Sequence, residues 1–157
     1  MTATSTTDSA GVVAPAPILY GFALVVGLVI EYAWPTVVPM KVVSLWLGSL
    51  MIAMSIPIVI SAVLALRRGR TAFDARRPTT TIVSDGAFQY SRNPTYLSLT
   101  LLYFGASLLI DSLWVLVMLV PAVALIQWGV IFREERYLEQ EFGEEYRNYA
   151  RRVRRWI

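Results

Sequence analysis

At 157 residues the chain has the length of one domain, and with 56% hydrophobic and 16% charged residues, against about a quarter charged in a soluble domain, its composition is that of a membrane protein. It contains no cysteine and no histidine, which excludes disulfides, thiolate nucleophiles, thiolate or imidazole metal ligands and an imidazole general base. The net charge of +3 comes from arginines in two blocks beside apolar runs, a pattern of membrane topology and anionic lipid contact rather than of nucleic-acid binding.

Residues 1–16 are rich in Ser, Thr, Ala and Pro and carry no Lys or Arg, which predicts a disordered tail without the basic start of a signal peptide. Residues 17–157 read as a single all-α membrane domain with helices at about 18–34, 42–66, 94–110, 113–142 and 144–155. The first apolar run, Ile18 to Trp34, is closed by Pro35. Glu31 lies in its last turn, and so close to Trp34 it is expected at the membrane interface rather than in a site. The second run, Val42 to Leu66, carries small residues at four-residue spacing, Ser44 with Gly48 and Pro57 with Ser61, which allow close helix approach. Pro57 removes a backbone donor and is expected to kink the helix.

A polar block follows, from Arg67 to Ser91, with arginines at 67, 68, 70, 76 and 77. Asp85-Gly86 marks a tight turn. A loop this long is usually functional or disordered, and Phe88 and Tyr90 favour an ordered one. The third and fourth apolar runs, Tyr96 to Ile110 and Leu113 to Ile131, are separated only by Asp111-Ser112 and so form an antiparallel hairpin. Pro94 suits the first turn of the third helix. From Phe132 the chain is polar again: a helix to Phe142, a break at Gly143, then a second helix with Tyr146, Tyr149, Ala150 and Val153 on one face and Arg147, Arg151, Arg152 and Arg154 on others. Apolar residues at that spacing beside a basic face predict a helix lying on the membrane.

Both arginine blocks belong on one side of the membrane, and the positive-inside rule makes that side, with both termini, cytoplasmic. In a bacterium the membrane is the inner one. Four spans agree with that parity. The same topology brings Tyr90, Arg92, Asn93 and Tyr96 to the mouth occupied by Glu134, Glu135, Tyr146 and Tyr149. Carboxylates, donors and rings gathered there suit a zwitterionic cofactor with an aromatic ring. Taken singly, each feature has an ordinary reading: Arg92 as a topology arginine, Asn93-Pro94 as a helix start, Glu134-Glu135 as a solvated helix exit. Their order along the chain is the stronger signal.

That order resembles the membrane-embedded isoprenylcysteine carboxyl methyltransferase and phospholipid methyltransferase superfamily. Its Arg-His-Pro-x-Tyr-x-Gly signature is matched by Arg92-Asn93-Pro94-Thr95-Tyr96-Leu97-Ser98, approached through Ile82 to Tyr90. The paired acids look like Glu134-Glu135, and the Phe-Gly-x-x-Tyr-x-x-Tyr ending like Phe142-Gly143, Tyr146 and Tyr149, then Val153-Arg154-Arg155. Asn93 stands where the signature has histidine, Ser98 where it has glycine, and Arg154 where a proline precedes the last arginine. Asparagine cannot titrate, so the chain is read as a small Arg-Asn-Pro variant without an imidazole relay.

The resemblance implies S-adenosylmethionine bound at the cytoplasmic face and a lipophilic acceptor entering from the bilayer, with membrane lipids as surroundings and neither nucleic acid nor metal as partner. Val83, Gly86 and Tyr90 would line the adenosine pocket; Arg92, Asn93, Pro94 and Tyr96 would shape its floor; Glu134 and Glu135 would hold the polar part of the cofactor. Tyr146, Tyr149 and Arg155 would steer the acceptor. Arg92, Glu134 and Glu135 are the catalytic candidates. A carboxylate acceptor needs only a cation to orient it, whereas an amine needs a base, for which the two glutamates are the candidates. The rival expectation is a non-catalytic membrane scaffold of the same fold. A transporter is disfavoured, because no span carries a central charge or paired breaks.

Overall fold

The computed structural model describes residues 14–38, 40–69 and 81–157. Residues 1–13 of the tail expected over 1–16 and the arginines at 70, 76 and 77 lie outside them, and α1 already begins at Ala16. The described residues form helices and no strands. Helix α1 spans Ala16–Ala33, α2 Lys41–Arg68, α3 Pro94–Ile110, α4 Leu113–Ile126, α5 Phe132–Phe142 and α6 Glu144–Arg152. A 3-10 turn at Gly86–Gln89 precedes α3, and a π-helical segment, Gln127–Ile131, joins α4 to α5 without a break in direction. Among the described residues, three helical stretches are long and apolar enough to cross a membrane: α1, α2 and the continuous Leu113–Phe142. Helix α3 is apolar but shorter, at 17 residues.

Local sequence accounts for most boundaries. Proline in the first turn opens α1 and α3, where its missing N–H costs no bond. Asp111, with φ of 62°, makes the left-handed turn out of α3, and the Ser112 hydroxyl then caps α4 by accepting from the Val115 amide. Helix α2 runs on through Pro57.

Helix α2 packs along α3, and α1 along α4. The first contact is backbone on backbone. A Cβ on Gly105 would lie 2.6 Å from the Gly48 carbonyl oxygen, and one on Gly48 would lie 2.9 Å from that of Gly105. Ser44 and Gly48, the small residues expected at a helix contact, are buried, as are Gly105 and Ser107 of α3. Gly27 meets Val115 in the same way, its Cβ position lying 2.8 Å from the Val115 Cα. Between these pairs the core is filled by Tyr20, Tyr103, Val115, Ile126, Val130 and Ile131. The Tyr20 hydroxyl bonds Thr100 Oγ1 at 2.6 Å, and its ring lies 5.9 Å from that of Tyr103.

One end of the bundle is tied by Glu31. Its carboxylate accepts from the Thr36 amide, the Thr36 hydroxyl and the Ser112 hydroxyl, while Asp111 accepts from the Val38 amide. The Trp114 indole donates to the Trp34 carbonyl at 2.9 Å. Glu31 thus fastens the α1–α2 connection to the α3–α4 turn. The other end, where α3 begins and α4 continues into α5, carries the remaining polar groups.

Two expectations need correction there. The last helix stops at Arg152 rather than 155, with Val153 extended (φ −118°, ψ 130°). Its apolar face also turns inward rather than onto lipid: Tyr146 and Tyr149 are about 4% and 5% exposed. The loop before α3 lies against this face, where the Phe88 carbonyl accepts from the Tyr149 hydroxyl.

Candidate functional site

Asp85-Gly86 bends the chain as its composition predicts, with Gly86 at φ +57° and the Phe88 amide donating to the Asp85 carbonyl at 3.1 Å. The bend leans on α2. A Cβ on Gly86 would lie 3.0 Å from the Ser61 hydroxyl, and a Cβ on Gly69 would lie 2.7 Å from Val83 Cγ2. Val83 and Gly86 therefore seat the loop against the end of α2. The loop then passes under α6, where the Tyr149 hydroxyl donates to the Phe88 carbonyl at 2.8 Å. Burial pushes the Tyr149 phenol well above its ordinary range, so it remains a donor.

The residues after α6 run back along the same loop. The Arg92 amide donates to the Arg154 carbonyl at 2.9 Å. The Arg155 carbonyl accepts from Asn93 Nδ2 at 3.1 Å and from the Ser91 hydroxyl at 3.3 Å. The Trp156 indole donates to Gln127 Oε1 in the π segment at 2.9 Å. Ser91 and Asn93 are both buried.

This strap carries the Arg155 side chain to Glu135. Arg155 Nη2 donates to Glu135 Oε2 at 2.6 Å and Nε to Oε1 at 3.0 Å, while the guanidinium lies 4.6 Å from the centre of the Phe132 ring. The hydrogen bonds it donates to that carboxylate push the Arg155 guanidinium up from its ordinary value. Arg92 Nη2 lies 3.4 Å from Glu135 Oε1. Glu135 therefore has two cationic partners, and their side chains are mostly withdrawn from solvent. Tyr146 adds its hydroxyl to the Arg92 side. Burial, followed by the charge of Glu135, pushes that phenol up to about 12, partly offset by Arg92. The Arg92 Nε is buried and finds no acceptor among the described residues.

These groups line a cleft of about 880 Å³ between α5 and α6. Trp128 and Phe132 form an apolar part of its wall, with Arg92, Glu135, Tyr146 and Arg155 beside them. Farther out, Arg147 and Arg151 pair with Glu144. Among the described residues, six arginines and three glutamates line the cleft. Its walls hold an excess of positive charge.

The structure brings four of the sequence candidates, Arg92, Glu135, Tyr146 and Arg155, into this one cleft and disperses the others. Glu134 does not line it; its Oε2 accepts from the Tyr96 hydroxyl at 2.8 Å, against α3. Asn93 and Tyr149 hold backbone, and Pro94 is buried in the first turn of α3. Val83 and Gly86 lie against α2 as described, and Tyr90 is 77% exposed and lines no part of the cleft.

Sequence reading passed over Trp128, Phe132, Gln127 and Ser91. The π segment is the reason for the first three, because its wider turn changes the direction in which the following side chains point. The only local signals were Gly129 within an apolar run and the four-residue spacing of Trp128 and Phe132.

The family described as phospholipid methyltransferase matches residues 43–145 of the chain. A protein of Haemophilus influenzae (strain ATCC 51907 / DSM 11121 / KW20 / Rd), described as uncharacterized, is 39% identical over 62 residues. That alignment covers 40% of this chain and 98% of the Haemophilus protein. No solved structure matches.

Proposed function

The chain belongs to the phospholipid methyltransferase family, and on that footing we propose that it transfers a methyl group from S-adenosylmethionine to a lipophilic acceptor resident in the membrane, at the cytoplasmic face. The observation that carries this reading is the convergence of Arg92, Glu135, Tyr146 and Arg155, from three separate stretches of chain, on one cleft with an aromatic wall.

The residues present fit the cofactor. Glu135 offers a carboxylate suited to an ammonium group, and Arg92, with an unpaired Nε, offers a donor suited to a carboxylate. Trp128, Phe132 and Tyr146 offer rings for an aromatic base or a cationic centre. When bound, S-adenosylmethionine supplies a methyl group already activated on a sulfonium. The protein's task is then to align the reacting atoms and exclude water.

Glu135 is held by two arginines, so its role is to fix charge rather than to accept a proton. The excess of arginine over glutamate in the walls favours an acceptor that is itself an oxyanion, such as a carboxylate. Such an acceptor, similar to that implied by the isoprenylcysteine methyltransferase resemblance, needs orientation and no base. Arg155 and Arg92 are the cations placed to orient it. Trp128 and Phe132, both exposed, give its apolar chain a route from the bilayer.

Calorimetry of S-adenosylmethionine binding to detergent-purified protein tests the reading, alongside Arg92→Ala and Glu135→Ala. Saturable binding lost in both variants supports it and justifies screening lipid acids for methyl uptake. No binding by a folded sample, with and without lipid, sinks it and leaves a membrane scaffold of this fold.

A further inference from the structure

Asn93 occupies the position at which the family signature has an imidazole, yet its side chain is turned away from the cleft wall. Its Nδ2 donates to the Arg155 carbonyl, 3.1 Å away, and the Ser91 hydroxyl donates to the same oxygen at 3.3 Å. The Asn93 amide in turn donates to Ser91 Oγ at 3.1 Å, so the two donors are themselves tied together. Asn93 is 7% exposed and Ser91 is 2% exposed. On the other side of that carbonyl, the Arg155 side chain makes the shortest contact to Glu135, at 2.6 Å. One residue thus has its backbone fixed by the loop and its charge delivered to the cleft.

We infer that Asn93 is a positioning residue acting through Arg155: as an N–H donor it fixes the register in which the extended strap after α6 lies across the loop, and so holds the Arg155–Glu135 pair in place in the cleft wall. The role rests on the proposed cofactor cleft. It requires a donor and no titration. Arg154 leans on the neighbouring Arg92 amide and Trp156 on Gln127, so a slip of one residue would break those bonds and turn the Arg155 side chain away from Glu135. Among the described residues, Asn93 of the loop supplies the side-chain nitrogen that meets the Arg155 carbonyl, and an imidazole N–H could supply the same bond. That accounts for how asparagine and histidine can serve one position without a shared acid–base function.

The test uses the full chain in neutral detergent with Asn93→Leu, Asn93→His, Arg155→Gln and the double variant Asn93→Leu with Arg155→Gln. Two quantities are read: the rate at which trypsin cuts after Arg154 or Arg155, by intact mass, and the affinity for S-adenosylmethionine. Loss of the donor should weaken affinity about tenfold in Asn93→Leu and speed cleavage by a similar factor. Asn93→His should restore both to within about threefold of the parent chain. The double variant should lose no more affinity than Arg155→Gln alone, because both changes act through one contact. The inference is overturned by an Asn93→His variant that behaves like Asn93→Leu, by additive losses in the double variant, or by an Asn93→Leu strap as protected as the parent's. If Asn93→Leu does not fold, Ser91→Ala removes the second donor to the same carbonyl and should give a smaller change in the same direction; no change overturns the inference. Absence of cofactor binding in the parent chain would remove the functional reading, while the cleavage rates still decide whether Asn93 holds the strap.

Discussion

Glu134 and Glu135 are consecutive residues whose carboxylates serve different walls of the molecule. Glu134 accepts from Tyr96 of α3 at 2.8 Å, and Glu135 takes Arg155 at 2.6 Å and Arg92 at 3.4 Å. Consecutive helix positions differ by about 100° in direction, so a pair of acids on one helix cannot both face one ligand squarely. The two should separate by mutation. Glu135→Gln leaves two arginines without their carboxylate and should weaken S-adenosylmethionine binding about tenfold or more, whereas Glu134→Gln should change it less than about threefold. Calorimetry on both variants checks this, and equal losses would contradict the division.

The contact between α2 and α3 leaves no room for a methyl group. Gly105→Ala places its Cβ 2.6 Å from the Gly48 carbonyl and should cost about 1–3 kcal/mol through forced separation of the helices. Gly21→Ala is the control, because a Cβ there meets nothing within 4 Å. That change should be neutral or stabilising by up to about 1 kcal/mol, since alanine is the better helix former. Unfolding of the two variants in the same detergent measures the difference.

Tyr149→Phe removes the donor that the Phe88 carbonyl uses where α6 covers the loop. The cost should be about 1–2 kcal/mol in unfolding free energy, because the acceptor is left within a partly buried contact. The loosened loop should also be cut faster by proteases between α2 and α3.

The raised pKa of Tyr146 gives a pH dependence with a definite sign. In the unfolded chain the phenol titrates near its ordinary value of about 10, and in the folded chain at about 12. Below pH 10 both states keep the proton and stability is unaffected. As pH rises from 10 to 12 only the unfolded chain releases it, so stability falls across that window and levels off above it. Tyr146→Phe should flatten that part of the stability–pH curve, as followed by thermal melts at fixed ionic strength. A curve of unchanged slope would contradict the assignment.

The elements that sequence made legible share a property: their cause is local. Apolar runs bounded by Pro35, Arg67, Asp111 and Gly143 gave the helices, because chain breakers and charge act within a turn of where they occur. Topology then placed the two arginine-bearing segments at one end, which is why Arg92 and Glu135 were found as neighbours. What escaped was long-range. The π segment depends on how α4 packs and carries no composition of its own. The strap after Arg152 extends because distant groups, the Arg92 amide and the Asn93 side chain, donate to its carbonyls in that form. The apolar face of α6 matched a membrane-surface helix equally well, since periodicity gives the direction of a face but not whether lipid or protein lies opposite it.

The strap has a consequence for the order of events during synthesis. Arg155 follows Glu135 by 20 residues and comes after every apolar helix of the bundle. Every helix of the bundle is therefore encoded while one wall of the cleft is still unmade. A chain truncated just short of Arg155 would keep all of those helices, with a Glu135 that lacks its closest counter-charge. Completion of the cleft waits for the residue that the ribosome adds last among those lining it.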